Sequence, residues 1–188
     1  GREMNITFEH VTKRFDRAVL DDCTLHFADG RITALVGESG RGKTTVLRLI
    51  AGLETPDSGT VRADGRVAML FQEPRLFPAL TALENVRLVQ PQHDRAASLD
   101  AIRVCRADTL ADKRPHEMSG GERQRVALAR LLAFGGDILL LDEPFSALDA
   151  ATKAQIITDL LPRLAGKTVV LVTHNADEAA LADTRIEL

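Results

Sequence analysis

Ile32 to Val36 is apolar at every position but Thr33, and Gly37-Glu38-Ser39-Gly40-Arg41-Gly42-Lys43-Thr44 follows it at once. Apolar positions at helical spacing then continue from Thr44 through Ala51. No other stretch restricts the fold as much. A buried strand must turn sharply through glycines and re-emerge as a helix, which is the unit from which parallel sheets covered by helices are built. The eight residues fit G-x-x-x-x-G-K-[ST] at every fixed position. Glycines let successive backbone N–H groups converge on phosphate oxygens, and the helix N-terminus adds its dipole. Lys43 supplies positive charge for the β and γ phosphates and the Thr44 hydroxyl a magnesium ligand, so a nucleotide site is expected here.

The rest of the chain agrees with an α/β fold. Ile6–Val11 and Thr24–Phe27 alternate apolar and polar residues and read as strands with one exposed face. Two short strands are expected after the Pro56–Gly59 turn, ending in Ala68-Met69-Leu70-Phe71. Ile138–Leu141 and Thr168–Val172 are further buried strands, each followed by a helical stretch, Ala150–Leu164 and Ala176–Ala182. Between residues 73 and 133 the pattern is helical and more polar. The expected organisation is one domain over 1–188, with a core of about 1–72 and 134–188 and a helical lobe at 73–133.

Composition excludes several classes. The chain has 24 Lys+Arg against 27 Asp+Glu, a net charge of −3, so no general attraction to nucleic acid is expected. Two distant cysteines exclude a disulfide scaffold and read as thiols of a reducing compartment. No apolar run approaches the ~18–20 residues that cross a bilayer. Gly1, Arg2 and Glu3 read as residues ahead of a natural start at Met4.

Two more segments carry chemistry. Ile138–Leu141 runs into Asp142 and Glu143, and on a strand adjacent side chains face opposite ways, so the two carboxylates are expected to do different work. Asp142 is expected to help hold magnesium, and Glu143 to act as general base on the attacking water. Met118-Ser119-Gly120-Gly121-Glu122 opens a helix, with Ser119 and Glu122 spaced as a capping box. The two glycines lower helix stability but permit a ligand to approach the N–H groups, which makes this end a second anion site.

The order of these segments resembles that of the ATP-binding cassette (ABC) ATPases: phosphate loop, Ser-Gly-Gly, a strand ending Asp-Glu-Pro, Ser146-Ala147-Leu148-Asp149, then Thr173-His174. The resemblance covers Ile6 to about Ala182. It implies a phosphate-loop NTPase core with a mostly parallel sheet, a small antiparallel β subdomain and a helical lobe. It also implies an ATP-hydrolysing subunit that drives transport, import above all, through a separate membrane permease. Two copies would sandwich two ATP molecules. By this likeness ATP contacts come from Phe15, which stacks on adenine, and from Gly37, Ser39, Gly40, Gly42, Lys43, Thr44 and Thr45. Ser119, Gly120 and Gly121 would meet the γ-phosphate of the partner's ATP, with Asp149 in the loop that crosses the dimer interface. Mg2+ falls to Thr44, Gln72 and Asp142, and catalysis to Glu143 and His174. The capping pair Asn175 and Glu178 is expected to fix the backbone of His174.

Gln72–Val86 resembles the segment that receives an import permease, with Leu76, Phe77 and Leu80 as apolar anchors. The implied location is cytoplasmic, peripheral on the inner face of the cell membrane, with no nucleic-acid partner. Two alternatives are an ABC ATPase of an export or mechanotransmission complex, and a soluble ribosome- or DNA-associated member. Met118 stands where the family usually has leucine, and Glu122 where glutamine is commoner.

Overall fold

The computed structural model describes residues 6–38 and 41–188, with the Arg41 side chain left aside. The expectations for Met4 as the start and for Ser39 and Gly40 lie outside the described residues. The chain divides into two compact units, residues 1–69, 136–142 and 166–188 in the first and residues 70–135 and 143–165 in the second.

The first unit holds two sheets. β1 (Ile6–Arg14) lies between β2 (Ala18–Phe27) and β4 (Ser58–Ala63), antiparallel to both. β1 runs beyond the expected Val11 because bulges interrupt its alternation. His10 (φ 49°) and Asp22 (φ 46°) take left-handed backbone there, and the His10 ring meets the Asp22 carboxylate at 2.7 Å.

The second sheet has the order β5-β6-β7-β3-β8, from β3 (Ile32–Val36), β5 (Val67–Leu70), β6 (Ile138–Asp142), β7 (Thr168–Val172) and β8 (Thr184–Glu187). β6, β7, β3 and β8 run parallel. β6 and β7 are buried along their whole length, as their apolar runs Ile138–Leu141 and Val169–Val172 require. β8, Thr-Arg-Ile-Glu, is too polar for such a reading and was not expected. It is a largely exposed edge strand, paired with β3 and tied to it through the Thr33 and Thr184 hydroxyls, 3.0 Å apart.

Helix α1 (Arg41–Ile50) follows β3 and buries Val46, Leu47, Leu49 and Ile50. They join Phe8, Phe27, Leu35, Leu140 and Val170 in one core, within which the Phe8 and Phe27 rings meet edge to face. That core fixes the exit of β3 and the entry of α1.

The second unit contains the helices α2 (Ala82–Val89), α3 (Arg95–Val104), α4 (Gly120–Phe134) and α5 (Ala150–Leu164). Its bounds differ from those expected, which gave 73–133 to the lobe and all of 134–188 to the core. Ion pairs join α5 to the α3 region: Arg163 grips Asp100 at 2.6 and 3.2 Å, and Arg106 meets Asp159 at 2.7 Å. Back in the first unit, α6 (Ala176–Ala179) is shorter than the expected 176–182.

Candidate functional site

In the first unit the loop after β3 turns at Gly37, whose φ of 149° suits glycine. A Cβ there would stand 2.6 Å from the Leu188 carbonyl, so only a bare Cα allows the strand end to pass β8. Lys43 is 4% exposed, and its ammonium donates to the carbonyls of Gly37 at 2.7 Å and Glu38 at 3.0 Å. The lysine is thus folded back over its own loop. Gly42 is half-buried and Thr45 buried.

Thr44 and Asp142 meet directly: the Thr44 hydroxyl donates to Asp142 Oδ2 at 3.1 Å. Asp142 closes β6 and is 3% exposed. Burial pushes its carboxyl above the ordinary aspartate range, opposed by the Thr44 hydrogen bond and by the neighbouring basic groups Arg48, His174 and Lys43. A carboxylate whose charge is disfavoured by burial beside a hydroxyl is a donor set for a hard divalent cation. Among the described residues no group of three or more His, Cys, Asp and Glu forms a self-sufficient metal cage. Mg2+ commonly keeps waters and takes phosphate oxygens, so a pair of protein oxygens fits it.

His174 is exposed in the turn after β7. The backbone around it is fixed, though not by the expected reciprocal box. Asn175 caps α6 by accepting from the Glu178 N–H at 3.0 Å, but its own N–H goes to the Thr173 hydroxyl oxygen at 3.0 Å. The buried Glu178 carboxylate takes the Thr173 hydroxyl proton instead. Phe15 lies in the β1–β2 turn, 43% exposed, with Lys13 Nζ 5.3 Å from its ring centre.

The second unit carries the other expected residues. Gln72 is exposed in the loop after β5 and does not end the strand, which stops at Leu70. Ser119 caps α4 through the full box: Glu122 N–H donates to Ser119 Oγ at 3.1 Å, and Ser119 N–H to Glu122 Oε1 at 2.9 Å. That hydrogen bond from the Ser119 N–H holds the Glu122 carboxyl below its ordinary range. Gly120 has open space where a Cβ would stand, whereas a Cβ on Gly121 would come 2.6 Å from the Ala147 carbonyl. One glycine leaves the helix end open to a ligand, and the other lets a neighbouring loop close on it.

That loop starts at Glu143. The expected strand alternation between Asp142 and Glu143 does not occur, because β6 ends at Asp142 and Glu143 is left-handed, φ 50°. Such a conformation costs a non-glycine residue about 1–2 kcal/mol and persists where its surroundings enforce it. Gln124, 5% exposed on α4, holds this loop, a role that no motif in the sequence announces. Its Nε2 donates to the Glu143 carbonyl and to Ser146 Oγ, both at 3.1 Å, and its Oε1 accepts from the Ala147 N–H at 2.9 Å. Asp149 then caps α5, accepting from the Thr152 N–H and hydroxyl, each at 2.8 Å.

The segment from Gln72 to Val86 is also braced. Asn85 is fully buried; its Oδ1 accepts from the Phe77 N–H, and its Nδ2 contacts the carbonyls of Phe77, Leu80 and Thr81. Arg130 donates to the carbonyls of Pro74 and Arg75. Leu76 and Leu80 are half-buried, while Phe77 stands 50% exposed.

Comparison with known proteins agrees with this geometry. A family model described as ABC transporter matches residues 20–146. The chain is 46% identical over 179 residues to an aliphatic sulfonates import ATP-binding protein of Nocardia farcinica, a match covering 92% of this chain and 73% of that one. It is 42% identical over 201 residues to a sulfate/thiosulfate import ATP-binding protein of Ralstonia nicotianae, covering 94% of this chain and 54% of that one. Among solved structures, a dimeric bacterial ABC transporter cassette superposes with a TM-score of 0.89 at 32% identity, covering 97% of this chain and 94% of the other. A post-hydrolysis dimer of such a cassette bound to ADP and Pi gives 0.88 at 31%, with the same coverage.

Proposed function

The chain belongs to the ABC transporter family of ATP-binding cassettes, and on that premise we propose that it binds and hydrolyses ATP to drive import through a separate membrane permease. The observation that carries the hydrolytic part is the buried Asp142, closing β6 and accepting from the hydroxyl that follows Lys43. Lys43 and the α1 N-terminus hold the phosphates of ATP, and Phe15 offers an exposed ring to adenine. Thr44 and Asp142 hold Mg2+, with Gln72 added by the family resemblance. The ion supplies charge neutralisation on the phosphate oxygens.

Glu143 accepts a proton from water as its oxygen attacks the γ-phosphorus; the bond to the β–γ bridging oxygen breaks, leaving ADP and phosphate. His174 is the further polar group offered to the γ-phosphate. The N-terminus of α4, with Ser119, Gly120 and Gly121, faces the ATP of a second copy. ATP between two copies favours the closed dimer only through contacts the open form lacks, so hydrolysis releases it.

Import is favoured over export because the sulfonate and sulfate relatives, 46% and 42% identical, are import ATP-binding proteins. A bacterial ABC exporter with ATP bound has a similar fold at only 28% identity. The permease docks on the braced segment Gln72–Val86, where Phe77 is the exposed anchor. No helix among the described residues is long and apolar enough to cross a membrane. Docked on its permease, the chain works at the inner face of the membrane as a peripheral subunit.

ATP turnover by the purified chain, with and without Glu143→Gln, tests the reading. The wild type hydrolyses ATP. The variant loses about 10²–10⁴-fold in turnover and accumulates as an ATP-bound dimer on gel filtration. Wild-type turnover in the variant removes Glu143 from the role of base.

A further inference from the structure

We propose that Gln124 is a positioning residue for ATP hydrolysis, the group in α4 that sets where the Glu143 backbone and the Ser146–Asp149 loop stand. The inference rests on the functional reading above and deepens it. Gly121 and Gln124 lie three residues apart, on one face of α4. Both meet the same loop. The Ala147 carbonyl packs where a Gly121 side chain would be, and the Gln124 amide bonds Glu143, Ser146 and Ala147.

A buried amide that only satisfied its own polarity would need partners anywhere. This one spends its donor group on the carbonyl of the left-handed residue itself and its acceptor on the loop four residues further on. The carbonyl it holds belongs to the peptide that leads away from Glu143, so the bond restricts the backbone turn from which that carboxylate projects. The same helix begins at the Ser119–Gly121 anion site, about one turn away at about 3.6 residues per turn. A rigid helix with an anion site at its tip and a clamp on the catalytic turn links the nucleotide of one copy to the base of the other site. Within the loop the Glu143 carbonyl also accepts from the Ser146 N–H, at a longer 3.4 Å.

The test uses Gln124→Met, which keeps the volume and removes the polar bonds, and Gln124→Glu, which keeps the acceptor for Ala147 but replaces the donor with an oxygen. Turnover number, ATP affinity by direct nucleotide binding, and Tm are measured on the whole chain, each variant also in a Glu143→Gln background. A misplaced reacting group lowers the turnover number by about 10–100-fold. ATP affinity stays at the wild-type value, because Lys43 and its loop are untouched. In the Glu143→Gln background the same substitution costs little more, since the base it positions is already gone.

Should Gln124→Met fail to fold, Gln124→Glu carries the same expectation. A wild-type turnover number in both variants, a loss confined to ATP affinity, or full additivity with Glu143→Gln overturns the proposal while leaving the ATPase reading intact. A wild-type chain without turnover, or a fully active Glu143→Gln chain, overturns the functional reading and this inference together.

Discussion

Two glycine-containing helix N-termini in this molecule are held by different physics. At α1 the functional groups are fixed by burial: Lys43, Thr45 and Asp142 are almost wholly enclosed, on strands and a helix whose apolar faces form one core. At α4 the tip is exposed, and it is held by individual hydrogen bonds: the Ser119–Glu122 box, the Gln124 amide and the Asp149 cap. A core distributes its constraint over many contacts and loses geometry only when it loses stability. A polar network concentrates constraint in a few atoms, so single substitutions can alter its geometry while the fold remains. On the proposed function, in which the α4 tip meets and leaves a second copy, the latter suits it.

Stability measurements sharpen the contrast. Leu140→Ala, in the fully buried middle of β6, should cost about 2–5 kcal/mol in urea unfolding. Ser119→Ala should cost only about 1 kcal/mol, while its effect on turnover is the larger share of its phenotype. If Ser119→Ala unfolds the protein as readily as Leu140→Ala, the α4 tip is core-held after all and the distinction fails.

The smallest expected effect is electrostatic. Glu122 titrates below its ordinary range because of the Ser119 N–H, so its charge contributes stability above pH about 4.5, lost as the pH falls through the depressed value. Glu122→Gln keeps an acceptor oxygen and removes the charge. Its Tm should lie slightly below wild type at pH 7 and converge with it in acid. A constant offset across that range would mean the bond depends on shape and not on charge.

What the sequence disclosed follows the same division. β3, β6 and β7 are legible because a doubly buried strand must be mostly apolar, each here with a single polar residue, and the phosphate loop because glycines, lysine and threonine are each chemically required. Structure set by pairing or by lone hydrogen bonds was hidden. β8 is a polar tetrapeptide that becomes a strand only beside β3. The bulges of β1 depend on two left-handed residues that no alternation announces. Asp142 and Glu143 read as neighbours on a strand, yet the backbone reverses its handedness between them, which only three-dimensional support can enforce. Gln124 looks like any polar residue of a helix until the loop it holds is seen.

The folded-back lysine has a consequence for selectivity. Lys43 already satisfies two carbonyls of its loop, so an incoming phosphate competes with an internal ligand. The enthalpy gained is a difference between two sets of good bonds, and what tips the exchange is formal charge: carbonyl dipoles surrender an ammonium more readily to a densely charged anion than to a weak one. An anion that reaches this ammonium must replace those two bonds, so the exchange favours a densely charged group over a weakly charged one.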